Sequence, residues 1–187
     1  MNKTIIYIKP GFCVAVGIGI MILPLKLVIA WIVAALIHEL GHIICIRLLG
    51  IRVVSISVGL GGVQIITDEL TWAQECAVAL SGPAAGLSLL LLSRFIPTIA
   101  LFAFFQSVYN LLPVYPLDGG RVALCIIISL FPNIGLKIYK FILFVLFVLL
   151  ISLLFVFAAS NWIMVIPVLI LLLKVKCTCK HSLVAVQ

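Results

Sequence analysis

Apolar residues fill this chain in long blocks, and the rare polar positions mark where each block ends. The first block covers about 11–25, and Lys26 separates it from a second at about 27–49. A third spans about 72–92, closed by Arg94 and Pro97, and a fourth starts near Thr98. Pro113, Pro116 and the Gly119-Gly120 pair interrupt the fourth block before apolar character resumes up to Phe131. Two more follow at about 139–158 and 162–173, the last reaching 176 if Lys174 and Lys176 snorkel to the interface. Crossing a hydrocarbon core of about 30 Å takes roughly 20 helical residues. The pattern predicts an all-α polytopic membrane protein with six transmembrane helices.

One segment departs from helical patterning. Between the second and third blocks, Val53, Val54, Ile56 and Val58 are strand formers, Gly59-Leu60-Gly61-Gly62 is turn chemistry, and Val63–Ile66 returns. A short membrane-associated β-hairpin is expected over 51–67, with Asp68, Glu69 and Glu75 supplying surface charge beyond it.

Composition agrees with the block pattern. Of 187 residues, 66% are hydrophobic and 9% charged, where soluble domains carry about 25% charged residues. Too few polar side chains exist to cover a water-facing surface, and no second soluble domain of ordinary size fits. A single integral membrane domain over 1–187 is expected, with accessory helices at 11–25, 139–158 and 162–176. The first block is followed by no small-residue cleavage site and reads as a retained span.

The net charge of +7 reads as membrane topology, not nucleic-acid binding. With the N-terminus cytoplasmic, Lys3, Lys9, Arg47, Arg52, Arg121, Lys137, Lys140, Lys174, Lys176 and Lys180 all fall inside, and only Lys26 and Arg94 fall outside. That asymmetry predicts both termini in the cytoplasm and puts the hairpin on the cytoplasmic side. It also assigns 119–131 to the broken fourth element, because another crossing would put Lys137 and Lys140 outside. Cys13, Cys45, Cys76 and Cys125 sit in apolar segments as small hydrophobes. Cys177, Cys179 and His181 cluster near the C-terminus, but three ligands in a terminal tail make a weak metal site.

The chemistry concentrates in two places. His38-Glu39-Leu40-Gly41-His42 lies inside the second apolar block. On a helix, positions i and i+4 share a face one turn apart, so both imidazoles can bind one ion. Glu39 can then reach a water at the ion without being a ligand, as a zinc hydrolase requires. Charged groups at a bilayer centre cost about 2.5–3.5 kcal/mol on insertion scales, so such a cluster marks function more readily than helix glue. The other embedded carboxylate is Asp118, within Asn110-Leu111-Leu112-Pro113-Val114-Tyr115-Pro116-Leu117-Asp118-Gly119-Gly120-Arg121. A broken helix at membrane depth must be buried in protein or line a wet cavity. Its carboxylate is either a third ligand or a cap for the helix that starts at Gly119.

These motifs resemble the site-2 protease family of intramembrane zinc metalloproteases, especially its bacterial, sporulation-protease-like branch. His38–His42 is similar to the family's first motif, Asn110–Arg121 to its second, and Ser81-Gly82-Pro83-Ala84-Ala85-Gly86 to the small-residue segment of its middle core helix. The matched core covers about 25–131. The resemblance implies one Zn2+ per chain held by His38, His42 and Asp118, with Glu39 as general base. It implies that Asn110 contacts the substrate backbone or stabilises the tetrahedral intermediate, the alternative being an interhelical hydrogen bond. Gly82 and Gly86 are expected to serve close helix packing. Nucleotide-sensing and PDZ modules occur in some relatives, and those properties are not expected to carry over to residues 1–187.

The implied activity is endopeptidic cleavage of membrane-embedded or membrane-associated proteins, as in regulated intramembrane proteolysis, in a bacterial cell membrane and open to a regulator protein. The hairpin is expected either to pair its edge with an extended substrate or to plug the membrane surface. The competing class is a non-catalytic membrane metal-binding protein or transporter, which would show inverted repeats and polar groups in several spans. Membrane zinc proteases acting near prenylated C-termini share only the His-Glu-x-x-His pattern.

Overall fold

A computed structural model describes residues 5–59 and 62–158. The chain divides into two compact units, Met1–Asn110 and Leu111–Gln187.

In the first unit, strand β1 (Ile5–Ile8) leads into helix α1 (Pro10–Ile22), which opens on Pro10, a residue preorganised for a first turn. Helix α2 (Leu25–Leu48) follows Pro24 directly. It ends where Gly50 adopts φ 69°, and Ile51 N–H reaches back to the Ile46 carbonyl at 3.0 Å. Only glycine takes that left-handed turn without a steric cost. Strands β2 (Val53–Gly59) and β3 (Gly62–Thr67) form the expected hairpin in antiparallel register, with Ser57 opposite Gln64 and a bulge between Val53 and Ser55.

The hairpin belongs to a larger unit than the sequence predicted. β1 pairs in parallel with β2, placing Tyr7 opposite Ser57, so a three-stranded sheet of order β1-β2-β3 results. A four-residue strand ahead of an apolar helix leaves no alternation long enough to read.

Helix α3 (Trp72–Ser88) starts on a reciprocal capping box between Thr71 and Gln74 and continues as a single 3-10 turn, Leu89–Leu92. Helix α4 (Pro97–Asn110) completes the first unit. α2, α3 and α4 pack against one another. Ala34, Leu89 and Ala103 form a buried cluster there, flanked by Ile37, Ile96, Ile99 and Phe102.

The second unit begins with an irregular segment, 111–117, followed by helix α5 (Asp118–Leu130) and helix α6 (Gly135–Ala158). α5 packs on α6, and Tyr139, Leu143 and Cys125 are buried there. The predicted break of the fourth block at 111–117 is therefore present.

The six-span expectation is met only in part. Among the described residues, three helices are long and apolar enough to cross a membrane: Leu25–Leu48, Trp72–Leu92 and Gly135–Ser152. α1 has 13 residues and α4 has 14, about 20 Å each at 1.5 Å per residue, short of a hydrocarbon core of about 30 Å. The predicted span at 162–176 and the Cys177, Cys179, His181 cluster lie outside the described residues. Large apolar side chains such as Leu36, Leu40, Ile44, Phe141 and Phe144 face outward. Water does not tolerate that display, and lipid does. The chain is a membrane protein.

Candidate metal centre

On α2 one ridge turns inward: Val28, Ala30, Ala34, His38, His42 and Ile46 are all buried. The i, i+4 spacing carries the ridge onto the two imidazoles, which are 2% and 6% exposed, while Glu39 is half-buried beside them. Small residues let the neighbouring helix approach. A Cβ on Gly41 would meet the Ser81 carbonyl at 2.5 Å and the Ala85 side chain at 2.7 Å, so α2 and α3 touch backbone to backbone there.

That approach fixes His42. Its Nδ1–H donates to the Val78 carbonyl of α3 at 2.8 Å, leaving Nε2 as the bare nitrogen of a neutral ring. Asn110, the last residue of α4, donates from Nδ2 to His38 Nε2 at 3.2 Å. The two Nε2 atoms lie 3.3 Å apart. Two nitrogens bound at about 2.0–2.1 Å to one tetrahedral zinc ion would lie about 3.3–3.4 Å apart. The pair fits one Zn2+.

Asp118 belongs to the second unit. It is the first residue of α5, 8% exposed, with Arg121 Nη1 3.8 Å from its Oδ1. The cap position falls to Leu117, and Asp118 is the acidic residue of the first turn. Nor do the two glycines break the helix, as the sequence had suggested. Both lie in the first turn of α5. A Cβ on Gly119 would strike the Leu111 backbone, and one on Gly120 would strike that of Val114 and Tyr115. Glycine is needed because segment 111–117 folds back over the helix start. Tyr139 of α6 pins the segment, accepting from Tyr115 N–H at 3.0 Å and donating to the Pro113 carbonyl at 3.5 Å. Two buried imidazoles and a buried carboxylate are a donor set that fits Zn2+.

No family model matches the chain. A curated zinc metalloprotease from Methanocaldococcus jannaschii is 29% identical over 127 residues, 58% of this chain and 37% of the relative. The chain thus spans little more than a third of the length of that relative. A solved structure, the site-2 protease from Methanocaldococcus jannaschii, superposes with a TM-score of 0.66 at 25% identity, covering 91% of this chain and 88% of that one. By these comparisons the chain is similar in sequence to a zinc metalloprotease and in fold to a site-2 protease.

Within this site-2 protease fold, the sequence had marked His38, Glu39, His42, Asn110 and Asp118. The first unit brings His38, His42 and Asn110 into direct contact. The sequence did not mark Val78, whose role lies in its carbonyl and leaves no trace in residue type. It did not mark Tyr139 either. A tyrosine flanked by Lys137 and Lys140 at the start of an apolar helix was the available signal, and it reads equally well as an interfacial anchor.

Proposed function

We propose that the chain is an intramembrane zinc metalloendopeptidase that hydrolyses peptide bonds of membrane-embedded or membrane-associated proteins, and that 1–187 acts as one catalytic membrane domain. The observation that carries this reading is the facing His38 and His42 Nε2 atoms, 3.3 Å apart on one helix with Glu39 beside them. His38, His42 and Asp118 hold the metal. When bound, zinc lowers the pKa of a water molecule and polarises the scissile carbonyl.

The chain's own residues do the rest. Glu39 accepts the proton of the attacking water and returns it to the leaving amine nitrogen, so no net proton is consumed at the carboxylate. In this structure the Asn110 amide donates to the lone pair that a metal takes up. Once that lone pair is engaged, the amide N–H is available to the developing oxyanion or to the substrate backbone. His42 stays an Nε2 donor because Val78 holds its other nitrogen.

Substrate must be extended to reach such a site, since a helical peptide bond is shielded by its own hydrogen bonding. β2 is central and paired on both sides, whereas β3 pairs only with β2 among the described residues. The other edge of β3 suits addition of a substrate strand. Proline cannot donate to a ladder. Val63→Pro, Gln64→Pro, Ile65→Pro and Ile66→Pro should therefore cut cleavage of a reconstituted substrate at alternate positions, with zinc content unchanged. Equal cleavage by all four would leave β3 without a role in binding. Six spans, cytoplasmic termini, a bacterial cell membrane and a regulator protein complete the proposal.

Metal analysis of purified protein tests the ligand set. The parent should carry one zinc per chain, and His38→Ala, His42→Ala and Asp118→Ala should each lower that content. Full occupancy in Asp118→Ala would remove the carboxylate from the set.

A further inference from the structure

The turn of α3 that faces the histidines does more than pack. Three observations meet on it, all inside the first unit. The Val78 carbonyl accepts His42 Nδ1–H at 2.8 Å. The same oxygen accepts the Ser81 hydroxyl at 2.6 Å. One residue further, a Cβ built on Gly82 would collide with Nε2 and Cε1 of His42 and stand 2.9 Å from His38 Nε2. A methyl group at position 82 would sit where the two metal-binding nitrogens converge.

We propose that Val78–Gly82 is the outer shell of the metal centre, the Val78 carbonyl fixing which nitrogen His42 offers and Gly82 keeping the space at both Nε2 atoms open to an ion. The inference rests on the metal reading above and adds positioning residues to it. His42 cannot swing clear of a new side chain at low cost, because its ring is tethered at Nδ1 and is 6% exposed. Relief requires breaking that hydrogen bond or moving α3 away from α2. Either way the imidazole loses its fixed tautomer and direction, which outer-shell partners supply in metal sites. Gly86 is the contrasting glycine. One turn along the same helix, it is tight against Ser107 of α4 and touches neither imidazole. Ser81 has a subtler part. Its O–H and the His42 N–H share one acceptor oxygen, so each weakens the other's bond. Removing the hydroxyl should strengthen the hold on His42 and make its Nε2 a better donor.

The test is equilibrium Zn2+ competition against a chromophoric chelator, with Co2+ absorption on the same full-length, detergent-purified chain. Thermal unfolding is followed alongside. Gly82→Ala should weaken Zn2+ binding about tenfold or more and change the Co2+ spectrum. Gly86→Ala should lower thermal stability while keeping the parent's Zn2+ affinity and spectrum. Ser81→Ala should fold normally, move the His42 Nδ1 proton resonance downfield and tighten Zn2+ by a factor of about two to five. It carries the test if Gly82→Ala does not fold. Parent-like Zn2+ binding by Gly82→Ala, equal Zn2+ loss in Gly86→Ala, or an unmoved His42 resonance in Ser81→Ala would overturn the outer shell alone. A parent chain that takes up neither Zn2+ nor Co2+ would overturn the metal reading itself, and the outer shell with it.

Discussion

The histidines and the aspartate are held in place by opposite means. His38 and His42 ride a regular helix, where the i, i+4 rule alone puts both rings on one inward ridge. Asp118 stands at the start of a helix whose first turn is wrapped by an irregular segment, cleared by two glycines and pinned by a tyrosine 21 residues further along. Periodicity supplies the first arrangement. The second depends on several residues acting together, and each offers a place to break it.

The largest effect is expected on the helical side. Asn110 closes α4 against His38 and is the nearest amide donor to the paired nitrogens. Asn110→Ala should keep zinc and lower kcat by about 100-fold or more, the loss seen when an oxyanion donor is removed. Unchanged kcat would reduce Asn110 to an interhelical hydrogen bond.

The wrapped turn should show graded damage of another kind. Gly120→Ala forces a methyl group into the Val114–Tyr115 backbone, and overpacking of this sort costs about 1–3 kcal/mol. Thermal unfolding should show that loss, with zinc content falling alongside it. Tyr139→Phe removes only the hydroxyl that joins Tyr115 N–H and the Pro113 carbonyl, for a smaller loss of about 1 kcal/mol. If Gly120→Ala is as stable as the parent, segment 111–117 can move off the helix without penalty, and the contrast between the two arrangements dissolves.

The same contrast explains what could be read from the sequence. The histidine ridge was legible because helical spacing is fixed, and the hairpin because strand formers flank a glycine turn. The break at 111–117 was legible from its prolines. The glycines beside Asp118 were misread as helix breakers, since residue type does not say which side of a helix boundary a glycine serves. β1 escaped because four residues carry no usable periodicity, and its parallel partner lies about 50 residues away. Val78 escaped because a carbonyl has no identity in the sequence. Span counting from hydropathy gave six, but α1 stops at 13 residues just before Pro24 and α4 at 14 residues where segment 111–117 begins.

One measurement bears most directly on the peptidase proposal: zinc content and cleavage assayed on the same preparations of the parent and Glu39→Gln. In the proposed mechanism Glu39, next to His38, is not a metal ligand and handles the proton of the attacking water as general base. Glu39→Gln should hold one zinc per chain, as the parent does, and cleave no substrate. Parent-level cleavage by Glu39→Gln, or a parent chain that binds zinc and cuts nothing in a reconstituted membrane, would contradict a zinc peptidase that uses Glu39 as its base.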